Sequence, residues 1–249
     1  MKISIIVPTF NEEKLIISSI KTIISYLQSA FDDFEIIVSD DGSSDKTREL
    51  IEEVFHDRRE ILLISNAHKG KGYAIRKGIE EASGDLLYLC DADLSTPIDV
   101  LKILISKLND GYDIVIASRE GRLAKRIGEP FYRHLMGRGF NLLVKTLLLP
   151  GISDTQCGFK LFKSDVAKKL FGKQRLYSEE SLTIEAPAVT AYDVEILFLA
   201  KKFGYKVSEV EVSWEYRENT RVSVLRDSYR NLSDVLKVRL NEIQGKYDS

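Results

Sequence analysis

Two carboxylates one residue apart, Asp91 and Asp93, stand directly after the apolar run Leu86-Leu87-Tyr88-Leu89-Cys90. A buried strand that ends this way can aim both at a hard cation that also takes phosphate oxygens. Mg²⁺ or Mn²⁺ held there would neutralise a nucleoside diphosphate as it leaves. For a lone Asp-x-Asp, a solvated acidic turn with Asp93 capping a helix is the better explanation. Three other polar clusters favour the metal reading. Pro8-Thr9-Phe10-Asn11-Glu12, Asp40-Asp41-Gly42-Ser43-Ser44-Asp45 and the stretch from Asn66 to Gly72 each follow an apolar run of their own.

In the second cluster Gly42 makes a turn and Ser44 or Asp45 caps the next helix. That leaves Asp40 and Asp41 to accept hydrogen bonds from a base or ribose. In the third, Lys69-Gly70-Lys71-Gly72 lets the backbone approach a phosphate with lysine charge nearby, or is a plain solvated loop. It lacks the spacing of a Walker A loop. His56, His68 and His134 are scattered and indicate no histidine metal site.

The elements that must position these clusters are legible as periodicity. Strands are expected at 2–8, 35–39, 61–65, 86–90 and 113–117, with helices at 12–27, 45–55, 74–82 and 98–108 between them. Ile16, Ile20, Ile23, Ile24 and Leu27 recur at helical spacing, and Thr9 with Glu12 reads as a capping box. Continuous apolar strands alternating with amphipathic helices imply a mainly parallel sheet covered on both faces. Ligands then bind beyond the carboxyl ends of the strands, where all four clusters fall.

The second half reads differently. Arg122, Lys125, Arg126, Arg133, Arg138 and Lys145 are interleaved with Phe131, Tyr132, Leu135, Met136 and Phe140, opposed only by Glu129. Such a segment is an amphipathic helix docked on the core with a solvated basic face, or a surface for acidic lipid headgroups. Helix is expected over 194–203, a half-buried strand through Val210, Val212 and Trp214, and a final amphipathic helix over about 222–243. That last helix, with Leu232, Leu236 and Leu240, suits docking or self-association. Residues 175–190, rich in Glu, Ser and Thr, are a candidate mobile acceptor loop.

At 249 residues, with 44% hydrophobic and 30% charged residues, one core is the simplest expectation. A single domain spans 1–249: a nucleotide-sugar half at 1–118, an acceptor half at 119–221 and the helix at 222–249. Net charge of −2 gives no global pull towards nucleic acid. Cys90 and Cys157 form no ligand cluster and fit a reducing, intracellular compartment. No stretch approaches ~18 uninterrupted apolar residues, so no bilayer-spanning segment is expected.

The order Val7-Pro8-Thr9-Phe10-Asn11-Glu12, Asp-Asp-Gly-Ser, Lys-Gly-Lys-Gly-Tyr-Ala and Asp-Ala-Asp resembles inverting family 2 glycosyltransferases of the GT-A fold. More narrowly, Gly139 to Lys145, the run Asp154-Thr155-Gln156-Cys157-Gly158-Phe159-Lys160-Leu161-Phe162, Tyr192 to Leu197, and Val212-Ser213-Trp214 resemble dolichyl-phosphate β-glucosyltransferases. The resemblance implies a Rossmann-like three-layer α/β sandwich. It also implies transfer of glucose from UDP-glucose to dolichyl (polyprenyl) phosphate with Mg²⁺ or Mn²⁺, by a cytoplasmic protein peripheral at the cytoplasmic face of a membrane. The implied donor site comprises Pro8, Phe10, Asn11, Glu12, Asp40, Asp41, Lys71, Asp91, Ala92 and Asp93. Asp93 would hold the metal, Asp91 would serve ribose and diphosphate, and Asp41 and Glu12 would contact the nucleoside. Arg119, Arg133 and Lys160 would contact phosphate, and Gln156 and Asp193 would face sugar or acceptor.

Two features depart from the family pattern. Eukaryotic members usually begin with a membrane-spanning helix, and Val189-Thr190-Ala191 stand where a basic or aromatic pair is common. GDP-mannose as donor, a soluble acceptor such as a glycerate or a protein, and a nucleotide-sugar sensor without turnover are the competing readings. Intact Asp91 and Asp93 argue against the sensor. A Rossmann dehydrogenase is disfavoured because no Gly-x-Gly-x-x-Gly follows the first strand.

Overall fold

The computed structural model describes residues 1–179, 183, 191–217 and 224–248, with side chains in the last stretch from 229. Most of the expected acceptor loop at 175–190, and the expected helix start at 222, lie outside these residues. The first half runs β1 (Ile3–Thr9), α1 (Ile16–Ala30), β2 (Phe34–Asp40), α2 (Thr47–Phe55), β3 (Ile61–Ser65), α3 (Lys71–Glu81), β4 (Leu86–Leu89), α4 (Val100–Asn109) and β5 (Ile114–Ser118). The second half adds β6 (Lys125–Ile127), α5 (Phe131–Leu147), β7 (Lys160–Lys163), α6 (Ser164–Lys173), α7 (Tyr192–Lys202), β8 (Val207–Glu211), β9 (Ser213–Glu215) and α8 (Val224–Ile243).

Seven strands form one sheet in the order β3-β2-β1-β4-β7-β5-β8, while β6 and β9 pair separately. All neighbours in the large sheet are parallel except those of β7. Successive strand residues point to opposite faces, and both faces are buried. Ile5, Val7 and Tyr88 pack on one side with Ile20, Ile23 and Leu27 of α1 and Leu104 of α4. Ile6, Leu87 and Leu89 pack on the other with Ile75 and Ile79 of α3, Phe171 of α6 and Leu197 of α7. The result is the three-layer α/β sandwich that the alternating pattern implied. Nine consecutive residues of α7, from Tyr192 to Ala200, are buried, as expected of a helix covered on all sides.

Three local differences from the sequence pattern have clear causes. Helix α1 starts at Ile16 rather than residue 12, and Thr9 Oγ1 caps nothing. Asn11 turns the chain at φ 55°, and its Oδ1 accepts from the backbone N–H groups of Ser44 (2.8 Å) and Asp45 (3.2 Å). Residues 10–15 are therefore tied to the β2–α2 loop instead of extending the helix. The strand expected through Val210 and Trp214 is divided, β8 joining the large sheet and β9 pairing with β6. Most consequential is β7, which returns from the second half to lie antiparallel between β4 and β5, with Lys160 opposite Leu89. Its amino-terminal end thereby lies at the carboxyl ends of the parallel strands.

Candidate active site

The order of β1 to β4 reverses direction between β1 and β4, the topological switch point at which doubly wound sheets bind ligands. Pro8 lies beyond the last β1–β4 partner pair, Ile6–Leu89, so its missing N–H deprives β4 of nothing. Beyond β4 the chain turns tightly. Leu94 N–H donates to the Asp91 carbonyl (3.1 Å), and Leu94 itself stands at φ 49°. A β-carbon at positive φ costs of order 1–3 kcal/mol, and such strain concentrates at functional positions.

Five charged side chains gather at this turn. Lys71 Nζ, from the first turn of α3, lies 2.6 Å from Asp91 Oδ1. Burial pulls Lys71 down, but Asp91, Asp193 and Asp93 together hold its pKa above the ordinary value. Asp93 accepts from Ser95 N–H at 2.9 Å, and burial, then the Asp91 charge, raises its pKa. Asp193, in the first turn of α7, is paired with the fully buried Lys160 ammonium, which also donates to the Cys157 carbonyl. Gly158 lies so close to Asp91 that an added Cβ would collide with the carboxylate.

Arg119 is clamped by Asp154. Its Nε and backbone N–H donate to Oδ2 (2.7 and 2.9 Å), and a terminal nitrogen donates to Oδ1 (2.9 Å). Burial would raise the Asp154 pKa, but the Arg119 charge outweighs it and holds the carboxyl at about 2. The guanidinium stacks 5.3 Å from the Trp214 ring, whose Nε1 donates to Ser95 Oγ (2.9 Å). Ser95 thus links Asp93 to Trp214 and, through it, to the Arg119–Asp154 pair. Arg133 donates to Tyr216 Oη (2.7 Å), and Tyr216 packs beside Trp214 at 6.0 Å. Gln156 is half-buried in the turn before β7. Beside α5 lies a groove of about 550 Å³ lined by Leu135, Arg138, Asn141, Leu142 and Lys145 of that helix and by Glu120 of the loop after β5.

The other edge clusters are bonded among themselves. Asp40 is fully buried and accepts from Gly42 N–H (3.0 Å), Ser43 N–H (2.8 Å) and Ser43 Oγ. It shapes its own loop and does not face the cleft, which corrects the expectation that it contacts a donor. Asp41 accepts from the backbone of Lys69 (2.9 Å) and Gly70 (2.9 Å) and from His68 Nδ1 (2.7 Å). Burial raises its pKa against these hydrogen bonds. His68 stacks on Phe10 with 4.0 Å between ring centroids, and its Nε2 is buried without a partner. Glu12 N–H donates to Thr47 Oγ1 (2.7 Å), which fixes where that side chain begins.

The structure therefore brings Lys71, Asp91, Asp93, Asp193 and Lys160 into one cluster, with Arg119 one aromatic ring away. Lys160 is corrected from a phosphate ligand to the buried partner of Asp193, because a 1% exposed ammonium already holds two acceptors. His68, Ser95, Asp154, Gly158 and Trp214 were assigned no role from sequence. Asp154, Gly158 and Trp214 carried a signal as members of the runs that resemble the family, and His68 as a member of the polar cluster at 66–72, whereas Ser95 carried none.

Among the described residues no group of three or more His, Cys, Asp or Glu is arranged around a metal. Asp91 and Asp93 still fit Mg²⁺ or Mn²⁺. Such ions are held by one or two carboxylates and complete their shell with water and substrate phosphate. Burial first and the Asp91 charge second raise the Asp93 pKa, and a divalent ion would offset both.

The fold and site define an α/β protein whose ligand edge pairs carboxylates with cations suited to a phosphorylated ligand. The chain belongs to glycosyl transferase family 2, whose model matches residues 4–171, and is a glycosyltransferase with the GT-A fold. It is 35% identical over 234 residues to a dolichyl-phosphate beta-glucosyltransferase of Trichomonas vaginalis, covering 89% of this chain and 68% of that one. The dolichyl-phosphate beta-glucosyltransferase of Homo sapiens is 33% identical over 264 residues, covering 99% and 77%. Among solved structures, glucosyl-3-phosphoglycerate synthase from Mycobacterium tuberculosis in complex with Mn²⁺ and UDP-glucose superposes with a TM-score of 0.63. That match covers 95% of this chain and 78% of that one at 20% identity.

Proposed function

We propose that this protein transfers glucose from UDP-glucose to a dolichyl (polyprenyl) phosphate, with inversion at the sugar and with Mg²⁺ or Mn²⁺ at the acidic turn. The observation that carries the reading is the convergence of Lys71, Asp91, Asp93 and Asp193 at the switch point. Relatives bearing that activity in their names align over most of the chain. The Mn²⁺ and UDP-glucose bound by a protein of the same fold support the choice of metal and donor.

A bound metal at Asp91 and Asp93 would neutralise the leaving diphosphate. The side chains supply the rest. Lys71 is held at Asp91 as a cation and is placed to move onto a donor phosphate oxygen. The stacked rings of Phe10 and His68, braced by Asp41, stand at the nucleoside end of the site. Pro8, Asn11 and Glu12, in the segment from the end of β1 onward, complete that end of the site. An acceptor phosphate, with a second pKa of about 6, is already a nucleophile near neutrality and needs positioning more than a strong base. One of its oxygens bonds to the anomeric carbon as the bond to the UDP oxygen breaks. Arg133 uses one N–H on Tyr216 and has others for that phosphate. Arg119, fixed by Asp154, supplies positive charge near the same turn. Asp193 and Gln156 orient the sugar or acceptor, with Lys160 holding Asp193.

The test incubates purified protein and Mg²⁺ or Mn²⁺ with UDP-glucose or GDP-mannose, each with dolichyl phosphate or a soluble phosphoglycerate. Glucosyl lipid from UDP-glucose, lost on removing metal and in Asp93→Ala, is the expected outcome. Mannosyl lipid would overturn the donor, product only with phosphoglycerate would overturn the acceptor, and metal-independent transfer would overturn the role of the acidic turn.

A further inference from the structure

Trp214, in β9, and Tyr216, just after it, are two residues apart along an extended segment, so both side chains project to the same side. Their ring centroids are 6.0 Å apart. Each ring carries one arginine. The Arg119 guanidinium lies 5.3 Å from the Trp214 centroid, and the Arg133 guanidinium lies 5.1 Å from that of Tyr216. The two arginines come from different elements, Arg119 from the loop after β5 and Arg133 from the first turn of α5. What they share is this pair of rings. A guanidinium stacked on a ring keeps its plane and leaves its edges for hydrogen bonds. Asp154 takes one edge of Arg119, and Tyr216 Oη takes one N–H of Arg133.

The same segment grips the acidic turn. Trp214 Nε1 donates to Ser95 Oγ (2.9 Å), and Glu215 N–H donates to the Ser95 carbonyl (2.8 Å). Ser95 N–H in turn donates to Asp93 Oδ1 (2.9 Å). Ser95 is only 3% exposed, so its backbone and hydroxyl are all engaged inside the protein. Leu94, immediately before it, stands at φ 49°. Such a conformation persists where the surroundings over-determine it, and β9 supplies two of those constraints from 119 residues further along the chain. The segment is itself fastened to β6, where Tyr216 N–H donates to the Ile127 carbonyl (2.8 Å).

We infer that Trp214 is a positioning residue for the transfer reaction proposed above. Its indole N–H sets the acidic turn through Ser95. Its ring sets Arg119 and, beside Tyr216, holds the two arginines at a fixed spacing from Asp93. The role rests on the reading of Asp93, Arg119 and Arg133 given there, and Trp214 acts through these groups rather than on the reacting atoms. Two contacts made by one side chain predict two separable defects: metal affinity follows the N–H, and acceptor affinity follows the ring.

Trp214→Phe keeps a ring for Arg119 and deletes the N–H, whereas Trp214→Leu deletes both. UDP binding is followed by calorimetry as Mg²⁺ is varied, without acceptor, and transfer to dolichyl phosphate gives KM and kcat. Trp214→Phe should raise the half-saturating Mg²⁺ about threefold to tenfold, the weight of one lost hydrogen bond. Its KM for dolichyl phosphate should stay within about twofold of wild type, because an aromatic face remains. Trp214→Leu should show the same Mg²⁺ shift and raise that KM roughly threefold to tenfold, the weight of a lost cation–π contact. Ser95→Ala removes the other end of the hydrogen bond and reads it independently of how the Trp214 variants fold. It should reproduce the Mg²⁺ shift, and Trp214→Phe/Ser95→Ala should be no worse than either single variant. Trp214 is the only tryptophan in the chain, so its fluorescence reports this contact alone. Mg²⁺ with UDP should shift the wild-type emission, and Ser95→Ala should diminish that shift.

Wild-type Mg²⁺ dependence in Trp214→Phe and Ser95→Ala would overturn the inference, as would losses that add in the double variant. Equal KM values for Trp214→Phe and Trp214→Leu would overturn the role of the ring. Wild-type protein that binds UDP with Mg²⁺ but forms no glucosyl lipid would reject the acceptor assigned above and the Arg119 arm with it, while the Mg²⁺ titration still decides the Ser95 arm. Absence of UDP binding would reject the donor reading and this role together.

Discussion

The ligand edge of the sheet and the outer face of α5 are built on opposite terms. At the edge nearly every polar side chain is held by another: Asp40 by Gly42 and Ser43, Asp41 by His68 and Gly70, Asp154 by Arg119, Asp193 by Lys160. On α5 the outward side chains are apolar and unpacked. Substitutions at the edge therefore act through unpaired buried charge and lost geometry. Substitutions on the outer face of α5 leave the fold alone and act only on what it touches.

The largest effect that would sharpen this contrast is on turnover. Asp93→Ala should lower transfer by about a thousandfold or more, with a thermal midpoint close to wild type. A variant retaining a tenth of wild-type turnover would remove the acidic turn from the chemistry.

Next is stability. Arg119→Ala leaves Asp154, which has no solvent exposure, as an unpaired buried charge, and should cost about 3–5 kcal/mol in denaturant unfolding. The pair also predicts a pH dependence. The Asp154 pKa is depressed to about 2, so its contribution is present above the unfolded carboxylate value near 4. It is lost as pH falls through about 2. Arg119→Ala should flatten that acid limb, and a loss under about 1 kcal/mol would show the clamp to be slack.

Glu195 gives the opposite sign. It lies within α7, two residues beyond Asp193, and accepts from Tyr247 Oη (2.7 Å) and the backbone of Arg175 (2.8 Å) and Leu176 (3.0 Å). Burial raises its pKa to about 7 against those hydrogen bonds. The folded protein therefore holds a proton that the unfolded chain has released, and stability falls as pH rises from about 4.5 to about 7. The full difference is roughly 3 kcal/mol. Subtracting the stability profile of Glu195→Gln should isolate that slope, and parallel profiles would assign it elsewhere.

A more modest substitution separates position from charge at the edge. Gly158→Ala should cost only about 1–3 kcal/mol, yet it forces Asp91 to move. A larger proportional loss of transfer than of stability is expected, read as kcat against the thermal midpoint. Unchanged kcat would show that Asp91 tolerates displacement.

Much of the edge was legible in the sequence because it is local. Each polar cluster follows its own apolar run, and a doubly wound sheet sends all such clusters to one side. Local reading failed where a side chain's partner is remote. Asp40 and Asp41 are adjacent carboxylates, yet one closes its own loop and the other holds residues 68–70. The resemblance implied a phosphate contact for Lys160, whose carboxylate partner is remote in sequence. Its partner, Asp193, is 33 residues on.

By itself, then, the sequence determined the alternation of strand and helix, the acidic turn after β4 and the basic, apolar character of residues 119–150. Periodicity and composition are properties of neighbouring residues, so they survive without a fold. Only the tertiary structure decided that β7 runs antiparallel into the middle of the sheet, carrying Gly158 and Lys160 to Asp91 and Asp193. It also decided which apolar side of α5 is buried and which is left bare. Both depend on contacts between segments far apart in the chain, and a one-dimensional pattern holds no record of which of two apolar faces finds the core.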